Sequence, residues 1–159
     1  MGKCFSIFKN RKIYKNRNYT ILKTYKNTNT KTIYLNYSIN ENSIYVVKKN
    51  TKISFYNEIY IMNKISKLNN IHIISFFKKP DLNNYCIFFK YCFYGDLFDI
   101  LKKKKTFSIN LSINIFKIII NTLNIVHKKF KISHRDIKLE NITLDKNGYI
   151  KIIDWGCSG

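Results

Sequence analysis

His134-Arg135-Asp136-Ile137-Lys138-Leu139-Glu140-Asn141, followed thirteen residues after Asn141 by Asp154-Trp155-Gly156, decides the reading of this chain. Each polar residue type suits one task at an anionic centre that carries a metal. A carboxylate such as Asp136 accepts or orients a proton. An ammonium two residues on, Lys138, balances negative charge. The amide of Asn141 and the carboxylate of Asp154 are hard oxygen ligands of the kind a small divalent cation prefers. Taken alone, Asp136 would be read as a surface or capping carboxylate, and His134 and Trp155 as packed core residues. Seven specified residues at fixed spacing arise by chance in only ~10⁻⁷ of chains, at ~1/20 per position. The joint spacing is therefore specific where the single residues are not.

Working outward, Ile142–Ile153 is predicted as a hairpin turning at Asp145-Lys146-Asn147-Gly148, where glycine can take positive φ. That turn folds Asp154 back towards Asn141. Upstream, Ser108–Lys129 is a predicted long helix with Leu111, Ile115, Ile118, Ile119, Thr122 and Val126 on one face. Asp96–Lys103 is a shorter one. Tyr19–Tyr25, Thr32–Tyr37 and Ser43–Lys48 read as strands between polar turns. Residues 54–68 read as a helix capped by Ser54. Ile71–Phe77 and Tyr85–Tyr91 are predicted strands around a Lys78-Lys79-Pro80-Asp81 loop. Strands, a helix, strands, helices and a hairpin in that order make an α+β fold.

The first stretch resembles the HRDxKxxN catalytic loop of the protein kinase family, and Asp154-Trp155-Gly156 stands at its D-F-G position. The resemblance implies a protein-kinase-like two-lobe fold: a β-rich N-lobe with one helix and a partial, mainly helical C-lobe. It implies a basic segment at 1–18, an N-lobe and hinge at 19–92, and part of a C-lobe at 93–159. Asp136 and Lys138 take the catalytic places, and Asn141 and Asp154 those that hold Mg²⁺. Lys138 also fits the serine/threonine rather than the tyrosine type. Tyr45-Val46-Val47-Lys48 resembles V-A-I-K, which makes Lys48 the residue for the α- and β-phosphates of ATP and Glu58 its partner. Lys49 is the alternative, on the opposite strand face. Ile33 takes the valine place after the phosphate loop, and with Val46 it lines the adenine. Ile87-Phe88-Phe89-Lys90-Tyr91-Cys92 resembles the strand and hinge beside the base, with Phe89 as gatekeeper and Tyr91 and Cys92 in the hinge. Asp96 matches a ribose-facing position. Four of the nine carboxylates thus fall on functional positions of the family.

Three departures stand beside the resemblance. Aligning Tyr25–Leu35 with the glycine-rich loop puts Lys26, Thr28 and Lys31 where glycines belong, and side chains there obstruct a backbone cradle for phosphate. Lys48 and Glu58 are separated by only ten residues. The chain shows no activation loop or A-P-E after Gly156, so the apolar face of the long helix is expected to be short of partners. The expected function is ATP-dependent phosphorylation of a protein hydroxyl, by a truncated form. The alternative is a kinase-like binding or decoy module.

Composition adds the setting. The net charge of +20 would suit nucleic acid, but only three of 29 basic residues are Arg, the residue favoured for bidentate phosphate and guanine contacts. The Lys, Asn, Ile, Tyr and Phe excess follows A/T-rich codons, so nucleic acid is not the expected partner. Four cysteines with no CxxC pair and no zinc spacing predict reduced thiols in an intracellular, cytoplasmic protein. No apolar run approaches the ~18 residues that span a bilayer. Met1-Gly2-Lys3-Cys4-Phe5-Ser6 matches an N-myristoylation pattern at Gly2, with Cys4 for a second acyl chain and a basic patch behind it. Peripheral membrane contact through the N-terminus is expected from this.

Overall fold

The computed structural model describes residues 19–68, 70, 72–81 and 84–159, with the side chains of 77–81 and 84 not characterised. The acylation residues Gly2 and Cys4 lie outside this range. The chain forms two compact units. The first holds the described residues up to Phe55 together with Phe76–Tyr91, and the second holds Tyr56–Ser75 with Cys92–Gly159.

The first unit is a five-stranded antiparallel sheet. β1 (Tyr19–Asn27), β2 (Lys31–Ser38), β3 (Ser43–Asn50), β4 (Phe76–Asp81) and β5 (Asn84–Lys90) stand in the order β1-β2-β3-β5-β4. Alternation sorts the side chains into two faces. Tyr19, Tyr34, Val47, Cys86 and Phe88 form a buried cluster on one of them, with the Tyr19 and Phe88 ring centroids 5.5 Å apart. Register puts Ile33 opposite Lys48 and Lys48 opposite Ile87, and Leu35 opposite Val46 and Val46 opposite Phe89, so these six share the other face.

Two expectations are corrected here. Lys78–Asp81 is strand rather than loop, with Pro80 opposite Tyr85. β4 is an edge strand, the place in a sheet where proline is tolerated, so Pro80 does not break it. The preceding strand begins only at Phe76, because Ile73 and Ile74 are apolar for another reason: both are buried in the second unit, where Ile73 bridges Ile152.

Helix α1 (Lys52–Ser66) begins in the first unit and continues in the second. Its cap is Thr51 and not Ser54: Ser54 N–H donates to Thr51 Oγ1 at 3.4 Å, and Phe55 N–H donates to Thr51 O at 2.9 Å. Both residues are good caps, so composition could not choose between them.

In the second unit, β6 (Gly95–Asp96), β7 (Ile142–Leu144) and β8 (Ile150–Ile152) make a small sheet in that order. α2 (Leu97–Lys104) is capped by Asp96, which accepts from Asp99 N at 2.8 Å. α3 (Ile109–Phe130) is capped by Ser108 and closed by Lys131 in the left-handed region. Thr122 and Val126 are buried along its inner face, and Thr122 Oγ1 donates to Ile118 O at 2.8 Å. Leu111, expected on that face, is exposed, as are Ile109, Ile113, Ile120 and Phe116, the last at 64%. Length and apolar content alone would let α3 cross a bilayer, which corrects the expectation that no segment could. Asn110, Asn114, Lys117, Asn121 and Asn124 interrupt a surface that is isoleucine-rich as a whole, so no unbroken apolar run marks the helix in the sequence.

Candidate active site

The β7–β8 hairpin carries the geometry. Asp145 Oδ1 accepts from Asn147 N at 2.9 Å and Tyr149 N at 3.0 Å, and Gly148 sits at φ +79°. This side-chain-stapled turn reverses the chain, so that Ile153 N donates to Asn141 O at 3.0 Å. Asp154 follows directly, in the left-handed region at φ +57°.

His134 links the two stretches from below. It is 2% exposed, its ring meets the Trp155 ring edge-to-face at 4.5 Å, and Trp155 is itself 1% exposed. Nε2 lies 2.9 Å from Ile153 O, while Asp136 N–H donates to Nδ1 at 3.3 Å. One nitrogen must therefore donate and the other accept, which only a neutral imidazole does. Burial lowers its pKa below the ordinary 6.5 and favours that same form.

Above this support the polar groups converge. Lys138 Nζ donates to both oxygens of Asp136, at 3.0 and 2.8 Å. Asn141 Nδ2 donates to Asp136 Oδ2 at 2.9 Å and to Asp136 O at 2.8 Å. The hydrogen bond from Lys138, followed by that from Asn141, holds the Asp136 carboxyl below its usual pKa, against some desolvation. The same bond raises Lys138. The charge of Asp154 acts on Asp136, Lys138 and His134, so it belongs to the same electrostatic centre. Asp136, Lys138, Asn141 and Asp154 are thus brought together.

The donor set suits Mg²⁺. Both protons of the Asn141 amide point at Asp136, which leaves Oδ1 as the atom for a cation, and Asp154 adds a carboxylate. Among the described residues no group of three or more His, Cys, Asp or Glu could hold a metal. A two-oxygen protein site completed by phosphate and water is how Mg²⁺ is commonly held.

The other expected residues are distributed as follows. Lys48 lies on β3 in the first unit, 6% exposed, on the face shared with Ile33, Val46 and Phe89. Lys49 faces the other way, opposite Cys86. Glu58 is on α1 in the second unit, 1% exposed. Tyr91 ends the first unit and Cys92 begins the second. Cys92 is buried and accepts from Thr143 Oγ1 at 3.2 Å; burial raises its thiol pKa, so it is a packed thiol rather than a reactive one. Asp96 has one carboxylate oxygen committed to capping α2.

The β1–β2 hairpin replaces the glycine-rich loop with a closed turn. Thr28 N–H donates to Lys31 O at 2.9 Å, Lys31 N–H to Thr28 Oγ1 at 3.1 Å, and Thr32 Oγ1 to Asn27 Oδ1 at 3.1 Å. Amides that a phosphate cradle would offer are used by the turn itself. One residue absent from the expected set is Tyr25, whose phenol shares a hydrogen bond with Tyr91. Partial burial, then the neighbouring Tyr91, raise the Tyr25 pKa above 10, so it stays a neutral donor. Its only sequence signal is its place at the opening of the altered loop.

Comparison with known proteins agrees with this geometry. A family model described as the protein kinase domain matches residues 16–159. NUAK family SNF1-like kinase 2 of Homo sapiens is 37% identical over 102 residues, 64% of this chain and 16% of that protein. Serine/threonine-protein kinase ppk11 of Schizosaccharomyces pombe is 33% identical over 99 residues, 62% of this chain and 31% of that protein. Serine/threonine-protein kinase 1 of Heliothis zea nuclear polyhedrosis virus is 32% identical over 111 residues, 69% of this chain and 41% of that protein. The alignments thus span about one-sixth of the NUAK relatives' length.

Proposed function

Because the chain belongs to the protein kinase family, with serine/threonine kinases among its relatives, we propose that it binds MgATP and transfers the terminal phosphoryl group to a protein hydroxyl. The observation that carries this reading is the Asp136 carboxylate, held by Lys138 and Asn141 within the field of Asp154. Phosphoryl transfer asks for positioning and charge neutralisation more than covalent chemistry. Asp136 orients the acceptor hydroxyl and takes its proton. Lys138 neutralises charge on the moving group. Asn141 Oδ1 and Asp154 would hold Mg²⁺, which would supply charge neutralisation at the phosphates. Lys48 would serve the α- and β-phosphates, and Glu58 stands at the position the family pattern gives its partner. Ile33, Val46, Phe89, Tyr91 and Cys92 serve the base, and Asp96 the ribose.

The exposed outer face of α3 favours a reading in which this stretch works as part of a larger kinase. The closed β1–β2 turn favours a second reading, a kinase-like module that binds partners without efficient transfer. Thermal unfolding with and without MgATP separates them from a chain with no nucleotide role. At a hundred times Kd the nucleotide adds ~2.7 kcal/mol, about 5–10 °C at this size. Asp154→Asn should remove the Mg²⁺-dependent part of that shift and the phosphoryl transfer. Equal activity in the variant would reject the metal assignment.

For localisation, the proposal is acylation at Gly2 and Cys4 with electrostatic support from Lys9, Arg11, Lys12, Lys15 and Arg17. Incorporation of a labelled acyl chain that is lost in Gly2→Ala would support it, and no incorporation would end it.

A further inference from the structure

Helix α3 has three faces rather than two. Thr122 and Val126 are buried, with Ile115, Ile118 and Ile119 half-buried or better covered on the same side. Asn114, Lys117, Asn121 and Lys128 make a polar, exposed side. Between the two runs a second apolar stripe. Ile109, Ile113, Phe116 and Ile120 recur at spacings of four, three and four, which places them within about 60° of one another around the helix. They are 78%, 45%, 64% and 47% exposed. Only 11% of the apolar part of α3 is buried, so packing inside the second unit does not account for its composition.

The surroundings of the stripe carry charge of one sign. From Ile100 to Arg135 the chain has nine lysine and arginine residues and no carboxylate. Lys102, Lys103, Lys104 and Lys105 are all exposed at the end of α2. Ile109 follows Lys105 by four residues, at most ~14 Å of chain, so this cluster borders the N-terminal end of the stripe. A second copy of the chain would bring like charge to like charge. Area argues the same way. At roughly 200 Å² for a large side chain, the stripe offers about 450 Å², short of the ~800 Å² per partner that a stable dimer buries. An anionic bilayer answers both features, because its headgroups take lysines and its acyl boundary takes an apolar stripe. The helix does not cross such a bilayer, since Thr122 and Val126 are packed within the protein and Lys117 stands at mid-length.

We propose that α3 lies in the plane of an anionic lipid surface, with Ile109, Ile113, Phe116 and Ile120 inserted and Lys102–Lys105 on the headgroups. The contact is separate from the acylation segment and from the nucleotide, so it stands or falls independently of both readings. One acyl chain holds a membrane only marginally, and this face is a second contact.

Co-sedimentation of the full, unacylated chain with vesicles tests this. Vesicles of phosphatidylcholine with about 30% phosphatidylserine should bind at least tenfold better than phosphatidylcholine alone, and less well as salt rises. Ile113→Ser combined with Phe116→Ser should weaken binding about tenfold or more. Lys103→Gln combined with Lys104→Gln should weaken it about tenfold. Asn121→Ser, on the polar side, should leave it unchanged. All these side chains are exposed, and the melting temperatures of the variants report any loss of fold separately. Binding that ignores the Ile113 and Phe116 changes would place the contact on the basic residues 1–18 and overturn the proposal. Equal binding to neutral vesicles would overturn the role of the lysines and the proposal with it. No vesicle binding at all would also overturn it, and sedimentation velocity without lipid then names the occupant. A dimer that the two serines return to monomer assigns the stripe to a second copy, and a monomer assigns it to another protein segment.

Discussion

The catalytic loop and the β1–β2 hairpin have departed from the family pattern to very different degrees. Around Asp136 the patterned polar residues are present, and three of them hold the loop: His134 bonds Ile153 O, and Lys138 and Asn141 bond Asp136. At the hairpin, Lys26, Thr28 and Lys31 stand on the glycine positions, yet the turn closes with good hydrogen bonds of its own. The physical difference is what each region asks of its residues. The loop works through particular side-chain atoms, the carboxylate of Asp136 and the donors that Lys138 and Asn141 bring within 3.0 Å of it. The hairpin works as a fold through its backbone, and threonine can satisfy that backbone as well as glycine does. What it loses is the open row of amides.

The strongest way to break this comparison is at Asp136. Asp136→Asn removes the proton acceptor while keeping the shape and one oxygen for Asn141 and Lys138. Transfer should fall by about 10²–10⁴ with nucleotide affinity nearly unchanged. Single-turnover transfer and equilibrium binding, measured side by side, check it. A variant that keeps more than a tenth of its rate would place the chemistry elsewhere and make the intact loop a structural relic.

A smaller effect sharpens the other side. Replacing Lys26, Thr28 and Lys31 together by glycine should reopen the phosphate cradle. MgATP affinity should rise about three- to tenfold while adenosine affinity stays level. The cost is hairpin stability, ~0.5–1 kcal/mol for each glycine placed in a strand or its turn. If adenosine tightens as much as MgATP, the gain is general loosening rather than phosphate recognition. If neither changes, the closed turn is not what limits nucleotide binding.

The same contrast explains what could be read from residues alone. The site around Asp136 was legible because phosphoryl-transfer chemistry restricts both residue type and spacing, and the Asp145–Gly148 turn announces itself by composition. The strand order could be expected, but not the bulge that frees Tyr25, since nothing in Lys23-Thr24-Tyr25-Lys26 distinguishes a bulge from continuous strand. Thr51 and Ser54 are equally good caps, and Pro80 signals a break that an edge strand does not need. Ile73 and Ile74 are apolar like a strand, but they are buried in the second unit rather than the five-stranded sheet. These are tertiary decisions, made by neighbours that local sequence does not name.

The smallest effect concerns His134, the support beneath the loop. Its folded-state pKa lies below 6.5 because burial penalises the imidazolium, whereas the unfolded chain takes up the proton near 6.5. The sign follows from linkage: its contribution to stability is fully present above pH 6.5 and is lost as pH falls through 6.5 towards the folded pKa. Melting temperature should therefore decline from pH 7.5 to 5.5. His134→Gln cannot titrate but can still donate towards Ile153 O. It should melt lower at pH 7.5 and show a flatter decline over the same range. An equal slope in both proteins would mean that the imidazole takes up its proton as readily in the fold as in the unfolded chain, and the Nδ1 acceptor that Asp136 N–H uses would be lost over the same pH range. The loop would then owe its geometry to Lys138 and Asn141 alone. The hairpin, whose turn is held by neutral threonine and asparagine side chains, should show no such dependence over this range.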